Sequence, residues 1–311
     1  MKLFKYLTLA VLFFALATGA LAATDEAITP KQYDGIWFMG FNMAKDIFGD
    51  KNSLLVRKAF NMAIDRAWIA KNIVGDPAVP TGIIPPTMMG ANTSLKGYPF
   101  DPALAKELMR KAGYPTSDMR LKQLTLLHTD GEKTVEIAKW IKRYLIKLGV
   151  DLQLVQVRFS DTASWARELK SGKYHMFLMG YKAELFNQIF IGDKNTKLFH
   201  ALDCPRIPSA EAQEFFGGYD EAASAGYRPD EICKPVKKEE ADASSILLPL
   251  FHSDGNVNFT FYSNSRVDSL LDQIEQMDKE LKAARAAKLK EVDRLLLEDP
   301  PTVNIFYITK L

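Results

Sequence analysis

The feature that most constrains the fold is a strand, a helix and a second strand in immediate succession. Residues 121–127 alternate weakly between apolar and polar, residues 132–148 carry apolar side chains at helical spacing, and residues 150–157 alternate again. Two strands joined by a crossover helix run parallel, and such crossovers are right-handed. The sequence therefore predicts an α/β fold.

Further elements are predicted on both sides of this unit. A buried strand is predicted over residues 36–42, Ser53 is expected to cap a helix, and Asp101 is expected to cap another. Residues 75–99 are rich in Pro and Gly, which is typical of an extended connector. The remaining predicted elements are helices over residues 161–170, 265–276 and 279–298 and strands over residues 174–180 and 303–308. Together these elements predict a mixed sheet flanked by helices.

Composition excludes several classes of protein. The chain has 311 residues, of which 47% are hydrophobic, and 40 Lys and Arg residues are set against 38 Asp and Glu residues. A hydrophobic fraction of this size excludes a disordered chain. The near balance of charge argues against nucleic acid as a partner, because there is no excess of basic residues to displace counterions from phosphates.

The N-terminus has the pattern of a secretory signal peptide. Lys2 and Lys5 precede an apolar run over residues 7–17, and Ala20 and Ala22 are small residues at the positions that signal peptidase reads. We therefore predict a signal peptide over residues 1–22, with cleavage near Ala22. The alternative is a membrane anchor, for which the run is short, since a spanning helix needs about 20 residues. The cleaved chain is expected to be soluble and to lie in the periplasm or elsewhere outside the cytoplasm.

Residues 187–242 interrupt the α/β pattern with several Pro and Gly residues and contain both cysteines. Outside the cytoplasm, Cys204 and Cys233 are expected to form a disulfide. Closing a loop of about 30 residues would stabilise the chain by roughly 3 to 4 kcal/mol. The alternatives are two buried thiols, or a redox or metal site, which the spacing disfavours because it is neither C-x-x-C nor a usual zinc pattern. The stretch is interpreted as an irregular insertion.

No motif of a common enzyme is present. We find no Gly-rich phosphate loop, nucleophile elbow or H-E-x-x-H sequence. The four histidines (His128, His175, His200 and His252) lie in separate predicted elements and are interpreted as packing or surface residues, although folding could bring two together. No catalytic residue, resident metal or cofactor is therefore predicted, and the chain is not expected to be an enzyme.

Several phrases occur in an order typical of one family. They are residues 52–66 (NSLLVRKAFNMAIDR), 82–86 (GIIPP), 100–115 (FDPALAKELMRKAGYP), 141–157 and 247–268. In this order, behind a signal peptide, they resemble family 5 solute-binding proteins, the extracytoplasmic peptide- and nickel-type receptors of ABC importers. The resemblance covers most of residues 23–311 apart from the insertion at about 187–242.

The resemblance also implies an architecture. Family members are two-lobed proteins that close on a ligand, and the matching phrases belong to the second lobe. The chain therefore resembles one lobe of a class II (cluster C) periplasmic binding protein, and we expect residues 23–311 to form a single lobe. The face that the other lobe covers in the family is expected to be covered by the insertion, to meet a partner chain or a second copy, or to remain as an apolar patch.

Candidate ligand contacts come from the same resemblance. After the strand at residues 174–180, peptide-binding relatives carry a Trp and then an Asp that holds the ligand's α-amino group; here Tyr181 and Glu184 take those places. Glu keeps the negative charge that an ammonium group requires, one methylene further out. Asn258 and Tyr262 match a polar and aromatic phrase of the family. The alternative is that these residues belong to a lobe that no longer binds a ligand.

Two functions follow as hypotheses. The first is a periplasmic solute-binding protein of a peptide-type ABC importer, which binds a small peptide or peptide-like solute and delivers it to an ABC permease. The alternative is an interaction or scaffold module of the cell envelope, derived from the same lobe and without a transport role. A secreted hydrolase is disfavoured because no nucleophile and base can be nominated.

Overall fold

A computed structural model describes residues 31–50, 52–76, 78–182, 190–201, 204–216, 219–235 and 242–309. The predicted signal peptide and Glu184 lie outside these residues. The strands are β1 (Tyr33–Phe41), β2 (Thr125–Thr129), β3 (Gln153–Val157), β4 (Met176–Lys182), β5 (Phe190–Asp193), β6 (Leu198–Ala201), β7 (Gln213–Phe216), β8 (Arg228–Pro229) and β9 (Thr302–Thr309). The helices are α1 (Asp46–Gly49), α2 (Ser53–Ala63), α3 (Arg66–Ile69), α4 (Pro102–Lys111), α5 (Glu132–Leu145), α6 (Thr162–Lys170), α7 (Tyr219–Ser224), α8 (Ser244–Phe251), α9 (Ser265–Gln276) and α10 (Lys282–Glu298).

Five strands form the central sheet, in the order β3-β2-β4-β1-β9. Strand β2 runs parallel to β3 and β4, whereas β1 runs antiparallel to β4 and β9. Helix α5 connects β2 to β3, so the predicted crossover is confirmed, and the sheet is mixed as predicted. Strand β2 begins later than predicted because Asp118 caps a short 3₁₀ turn over Met119–Lys122 that takes up the apolar Leu121.

Strand β1 is buried on both faces of the sheet, with only Trp37 partly exposed. Ile36 and Phe38 project into one hydrophobic layer, and Met39 and Phe41 project into the other. A strand covered on both faces reads as a continuous apolar run rather than an alternation. This burial explains why the aromatic and apolar sequence at residues 36–42 was recognisable as a strand.

Helices cover both faces of the central sheet. One layer contains buried residues of α2, α4 and α5, and the other contains buried residues of α6, α8, α9 and α10. The result is a three-layer α/β/α arrangement, one of the few ways in which a sheet with two apolar faces is shielded from water. In the described part of the chain, no helix has the length and apolar composition needed to cross a bilayer.

The helix caps confirm one of the two capping predictions and contradict the other. Asp101 caps α4 as predicted, since its side chain accepts a hydrogen bond from the backbone N–H of Leu104 at 2.9 Å. The prediction for Ser53 was wrong: Asn52 is the N-cap of α2, and the Ser53 hydroxyl donates to the backbone carbonyl of Asp46 at 3.1 Å. Helix α1, which the sequence did not reveal, provides that carbonyl.

The stretch at residues 187–242 contains a second sheet, in the order β7-β5-β6-β8. We call its described part, residues 190–201, 204–216 and 219–235, the insertion sheet. The interpretation of this stretch as irregular was therefore wrong. The sequence did not reveal the sheet because strands of two to four residues are too short to show a period of two. Its hydrophobic cluster consists of Phe190, Phe199, Phe216, Ala222 and Tyr227.

Arg285 on α10 connects the layer of helices to Asp242, where the chain leaves the insertion. Its side chain is 4% exposed, and its Nε and Nη2 donate to the Asp242 carboxylate at 2.8 and 2.6 Å. Its Nη1 donates to the backbone carbonyls of Ile274 and Met277. Removing one partner of such a pair leaves the other charge buried without compensation.

We therefore expect Arg285→Ala to lower the free energy of unfolding by about 3 to 5 kcal/mol. Arg294→Ala is the matched control, because Arg294 lies on the same helix and pairs with Glu291 and Glu298 in a partly exposed position. Its loss should cost much less than the loss of Arg285, because water screens exposed ion pairs. Urea unfolding of both variants measures the two values, and equal losses would contradict the assignment.

Asp293 on α10 is 1% exposed, and its Oδ1 accepts a hydrogen bond from the backbone N–H of Ile83 at 2.7 Å. Burial raises the pKa of Asp293 to about 7, against the opposing effect of backbone hydrogen bonds from Ile83 and Ile84. The folded state therefore favours the protonated carboxyl more than the unfolded state does. The stability that follows from this preference is present at low pH and is lost as pH rises through the folded pKa.

Between pH 5 and pH 8, the contribution of Asp293 to the free energy of unfolding should fall by roughly 2 to 3 kcal/mol. Asp293→Asn removes this titration, so the variant should lose less stability than the wild type over the same interval. Urea unfolding at both pH values tests this. Identical pH dependence in the two proteins would show that Asp293 does not titrate in this range.

Candidate functional site

The carboxyl ends of the three parallel strands lie at one edge of the central sheet. β2 ends at Thr129, β3 at Val157 and β4 at Lys182, and the start of β1 reaches the same edge because Ile36 pairs with Tyr181. Ligands of open α/β sheets bind outside the carboxyl ends of the strands. This edge is therefore where a solute site is expected.

A cavity of about 340 Å³ lies at that edge, and we call it the edge cavity. Small-molecule sites in proteins commonly occupy about 300 to 1,000 Å³. The residues that line it are Trp37, Thr129, Thr134, Phe159, Trp165, Ala166, Leu178, Met179, Gly180, Tyr181, Val257 and Phe259. Most of these side chains are apolar or aromatic. Their polar groups are the hydroxyls of Thr129, Thr134 and Tyr181 and the indole N–H groups of Trp37 and Trp165.

Gly180 on β4 makes room for the indole of Trp37. The two residues are paired across the strands, and a Cβ at Gly180 would lie 2.8 Å from Cδ1 of Trp37. On its other side Trp37 stacks on Phe306 of β9, with ring centroids 5.3 Å apart and ring planes 15° apart. The absence of a side chain at position 180 therefore helps to fix the indole in the wall of the edge cavity.

Helix α6 brings Trp165 to the edge cavity, and Asp161 fixes the start of that helix. The Asp161 carboxylate accepts a hydrogen bond from the backbone N–H of Ser164 at 2.7 Å. This bond and those from the hydroxyls of Ser164 and Ser160 lower the pKa of Asp161 to about 2. The cap is therefore charged, and α6 is anchored, at neutral and mildly acidic pH.

Among the predicted ligand residues that the structure describes, Tyr181 alone lines the edge cavity. Its side chain is half-buried, and its hydroxyl donates to the backbone carbonyl of Ser245 at 3.4 Å. The ring is therefore held as part of the wall. Its role as a ligand contact, like that of Glu184 outside the described residues, remains a prediction.

Asn258 and Tyr262 do not line the edge cavity. The Asn258 amide donates to the backbone carbonyls of His252 and Tyr262 and accepts from the Tyr262 N–H, which fixes a turn. Tyr262 is 1% exposed, and burial raises the pKa of its hydroxyl above the usual value. In this structure both residues shape the loop that carries Val257 and Phe259 to the cavity; a direct ligand contact by either remains a prediction.

A second constellation of chemically active groups lies in the insertion sheet. His200, Cys204, Asp230 and Cys233 each present one possible metal-ligand atom, and these four atoms lie within 4.8 Å of one another. The His200 Nδ1 lies 3.5 Å from the Cys204 Sγ and 3.6 Å from the Cys233 Sγ. Cys204 is buried and Cys233 is half-buried. The disulfide between them remains a prediction.

Sequence reasoning missed this cluster because its donors are of three kinds and come from two short strands that had not been recognised. His200 and Cys204 are separated by three residues, and Asp230 and Cys233 by two. Paired close spacings of this sort are typical of metal sites. Because the cysteines and the histidines were considered separately, neither pair was recognised.

Comparison with known proteins identifies the family of this chain. The sequence profile of the bacterial extracellular solute-binding proteins, family 5, matches residues 14–189, which is more than half of the chain. The chain belongs to this family.

Two curated relatives illustrate the similarity in sequence. The chain is 28% identical to di/tripeptide-binding protein 2 of Pseudomonas aeruginosa over 171 residues, which cover 54% of this chain and 30% of that protein. It is 31% identical to the glutathione-binding protein GsiB of Escherichia coli over 134 residues, which cover 41% of this chain and 25% of that protein.

Solved structures confirm the fold of one lobe of a periplasmic binding protein. DppA from Helicobacter pylori, in complex with the peptide STSA, matches with a TM-score of 0.61 and 18% identity, over 90% of this chain and 43% of that one. NikZ from Campylobacter jejuni, in complex with Ni(L-His), matches with a TM-score of 0.58 and 17% identity, over 90% of this chain and 46% of that one. The chain thus spans less than half the length of the proteins it matches.

The insertion sheet has a similarity of its own. The sequence profile of the metal binding domain of Ada matches residues 180–236, a segment that contains all four residues of the cluster. This similarity is independent of the distances between the four side chains, and it covers the same part of the chain.

The packing of Gly180 against Trp37 yields a prediction. Gly180→Ala should force the indole away from Phe306 and lower the free energy of unfolding by about 1 to 3 kcal/mol. Gly131→Ala is the control, because the nearest atom to its Cβ would be the Thr134 Oγ1, at 3.6 Å, and its φ of −58° suits alanine. Urea unfolding compares the two, and a Gly180→Ala variant as stable as the control would contradict the close packing.

Proposed function

We propose that the chain is a periplasmic solute-binding protein of a peptide-type ABC importer, and that it binds a small peptide or peptide-like solute in the edge cavity. The observation that carries the proposal is an apolar, aromatic cavity at the carboxyl edge of the sheet in a chain of this family. The two curated relatives bind di- and tripeptides and glutathione, as their names state.

The lining of the edge cavity suits the side chain of a peptide. Trp37, Phe159 and Trp165 offer flat apolar surfaces, and aromatic surfaces contribute most of the contact energy in many binding sites. The hydroxyls of Thr129 and Thr134 can pair with peptide amides. Glu184 follows closely in sequence, and we propose that its carboxylate holds the α-ammonium group of the solute.

The edge cavity is partly open to solvent in the described part of the chain. A ligand on a single wall keeps much of its surface in water, whereas well-held small ligands are largely buried. We therefore propose that a second surface, from a partner chain or a second copy of this chain, completes the site. Transport would further require an ABC permease as a partner, with the chain located in the periplasm after cleavage near Ala22.

Isothermal titration calorimetry of the purified chain with a library of di-, tri- and tetrapeptides tests the proposal. Tyr181→Ala and Trp165→Ala should each weaken binding about tenfold or more, because each removes an aromatic wall. Met119→Ala is the control, since Met119 is 71% exposed and does not line the edge cavity. Glu184→Gln should weaken peptides with a free amino terminus and leave N-acetylated peptides unaffected.

If neither aromatic substitution weakens peptide binding, the solute binds elsewhere and the edge cavity is rejected as the binding site. If no peptide binds at millimolar concentration, either to the chain alone or together with cell-envelope proteins captured by it, the receptor function is rejected. Stable capture of envelope proteins without any peptide binding would instead favour the interaction or scaffold module as the function of the lobe.

A further inference from the structure

Four side chains of three chemical kinds converge on one point of the insertion sheet. His200 lies on β6, Cys204 follows that strand, Asp230 follows β8, and Cys233 lies in the turn after it. Strands β6 and β8 run parallel, with Leu198 paired to Arg228, so their carboxyl ends lie together. Three of the four residues are buried and Cys233 is half-buried.

The distances fit a single tetrahedral ion. Zinc lies about 2.3 Å from a thiolate sulfur and about 2.0 to 2.1 Å from an imidazole nitrogen, so a tetrahedral site sets nitrogen and sulfur roughly 3.5 Å apart. The His200 Nδ1 lies 3.5 Å from one cysteine Sγ and 3.6 Å from the other. One nitrogen at this distance from two sulfurs is expected where all three face a common centre.

Asp230 is placed to supply the fourth ligand. Its Oδ1 accepts hydrogen bonds from the backbone N–H groups of Ile232 and Cys233, at 2.9 and 3.0 Å, which fixes the carboxylate and the turn that carries Cys233. Its Oδ2 lies 3.9 Å from the His200 Nδ1 and 3.6 Å from the Arg206 Nη1. Arg206 balances the net negative charge that two thiolates and a carboxylate leave around a divalent cation.

The donor set selects the metal. Thiolate and imidazole ligands favour zinc over magnesium and calcium, which prefer sites made of oxygen atoms. Four protein ligands leave no open position, which is typical of structural zinc sites rather than catalytic ones.

The insertion sheet also needs a cross-link. Its cluster of buried hydrophobic residues has five members, and β8 pairs with β6 through only two residues. Small units of this kind rarely gain enough stability from apolar burial and are commonly held by a disulfide or a metal ion. The cluster lies where the two short parallel strands end, which is where pairing is weakest.

We propose that His200, Cys204, Asp230 and Cys233 bind one structural zinc ion, through Nδ1, Sγ, Oδ2 and Sγ respectively, and that this ion holds the ends of β6 and β8 together. The two cysteines are then ligands rather than a disulfide. None of the four residues lines the edge cavity, and the similarity of residues 180–236 to a metal-binding domain supports the proposal.

The first experiment measures metal in the full chain, produced in the periplasm and purified without chelators. Elemental analysis should give one zinc per chain. After chelation and reduction, titration with Co²⁺ should produce the intense visible d–d bands of tetrahedral cobalt and a thiolate-to-cobalt charge-transfer band, both abolished by one equivalent of zinc. Wild-type protein alone suffices for these measurements, so they do not depend on any variant folding.

Variants then assign the ligands. Cys204→Ser and Cys233→Ser should each remove the charge-transfer band or reduce it by about half, and Asp230→Asn should weaken zinc affinity about tenfold or more. Asp193→Asn is the matched control, because Asp193 lies in the same sheet and its carboxylate is used in a turn with Asn195 and Thr196. His252→Gln is the control for His200→Gln. Both controls should retain one zinc per chain.

Hydrogen exchange tests the structural role. Chelation of the wild type should speed exchange of the β6 amides and of the Arg228 amide in β8 about tenfold or more and leave β1 unchanged. The proposal is overturned if the exported chain carries a Cys204–Cys233 disulfide in non-reducing peptide maps, or if the reduced chain binds neither zinc nor cobalt. It is also overturned if Asp193→Asn loses as much zinc as Asp230→Asn.

Discussion

Pairing of β1 on both of its edges is the constraint on which the rest of the lobe depends. This strand bonds to β4 on one side and to β9 on the other, and the two neighbours come from distant parts of the chain. Its side chains alternate between two hydrophobic layers, so a slip of one residue would exchange Ile36 and Phe38 with Met39 and Phe41 and disrupt both layers. The same register pairs Trp37 with Gly180 and brings Tyr181 to the edge cavity, so the packing of the core and the geometry of the site have a common origin.

Much of the central fold could be predicted because its signals are local and strong. The crossover from β2 through α5 to β3 was visible in the periodicity of apolar residues, and Asp101 followed by Pro102 gave the start of α4. The prediction that Ser53 caps α2 was wrong because its hydroxyl donates to a backbone carbonyl of α1. That helix is a single turn, too short to give a periodic signal in the sequence. The second sheet was missed for a related reason: strands of two to four residues are defined by their pairing partners, and those partners are distant in sequence.

Some residues of the candidate sites could likewise be predicted from the sequence, and others could not. Tyr181 was predicted from the resemblance to peptide-binding family members, and the structure does put it in the wall of the edge cavity. Trp37, Trp165 and Phe159 were not predicted as lining residues, because only the folded sheet brings β1, α6 and the end of β3 to one edge. Asn258 and Tyr262 carried a recognisable sequence phrase, but a phrase does not distinguish residues that fold a loop from residues that touch a ligand. Here the hydrogen bonds of Asn258 are all used within the turn that positions its neighbours.

The two cysteines could cross-link the insertion sheet in either of two ways, through a disulfide or through a metal ion. A disulfide cross-links the chain chiefly by restricting the unfolded state, and it needs only the two sulfur atoms. It would leave the buried imidazole of His200 and the buried carboxylate of Asp230 with no part in the cross-link, although both are placed beside the sulfurs at a cost in desolvation. A zinc ion uses all four groups, and its charge stabilises the thiolates and the carboxylate that burial alone would disfavour. Convergence of an imidazole and a carboxylate on the two sulfurs is therefore better explained by an ion than by a covalent bond between them.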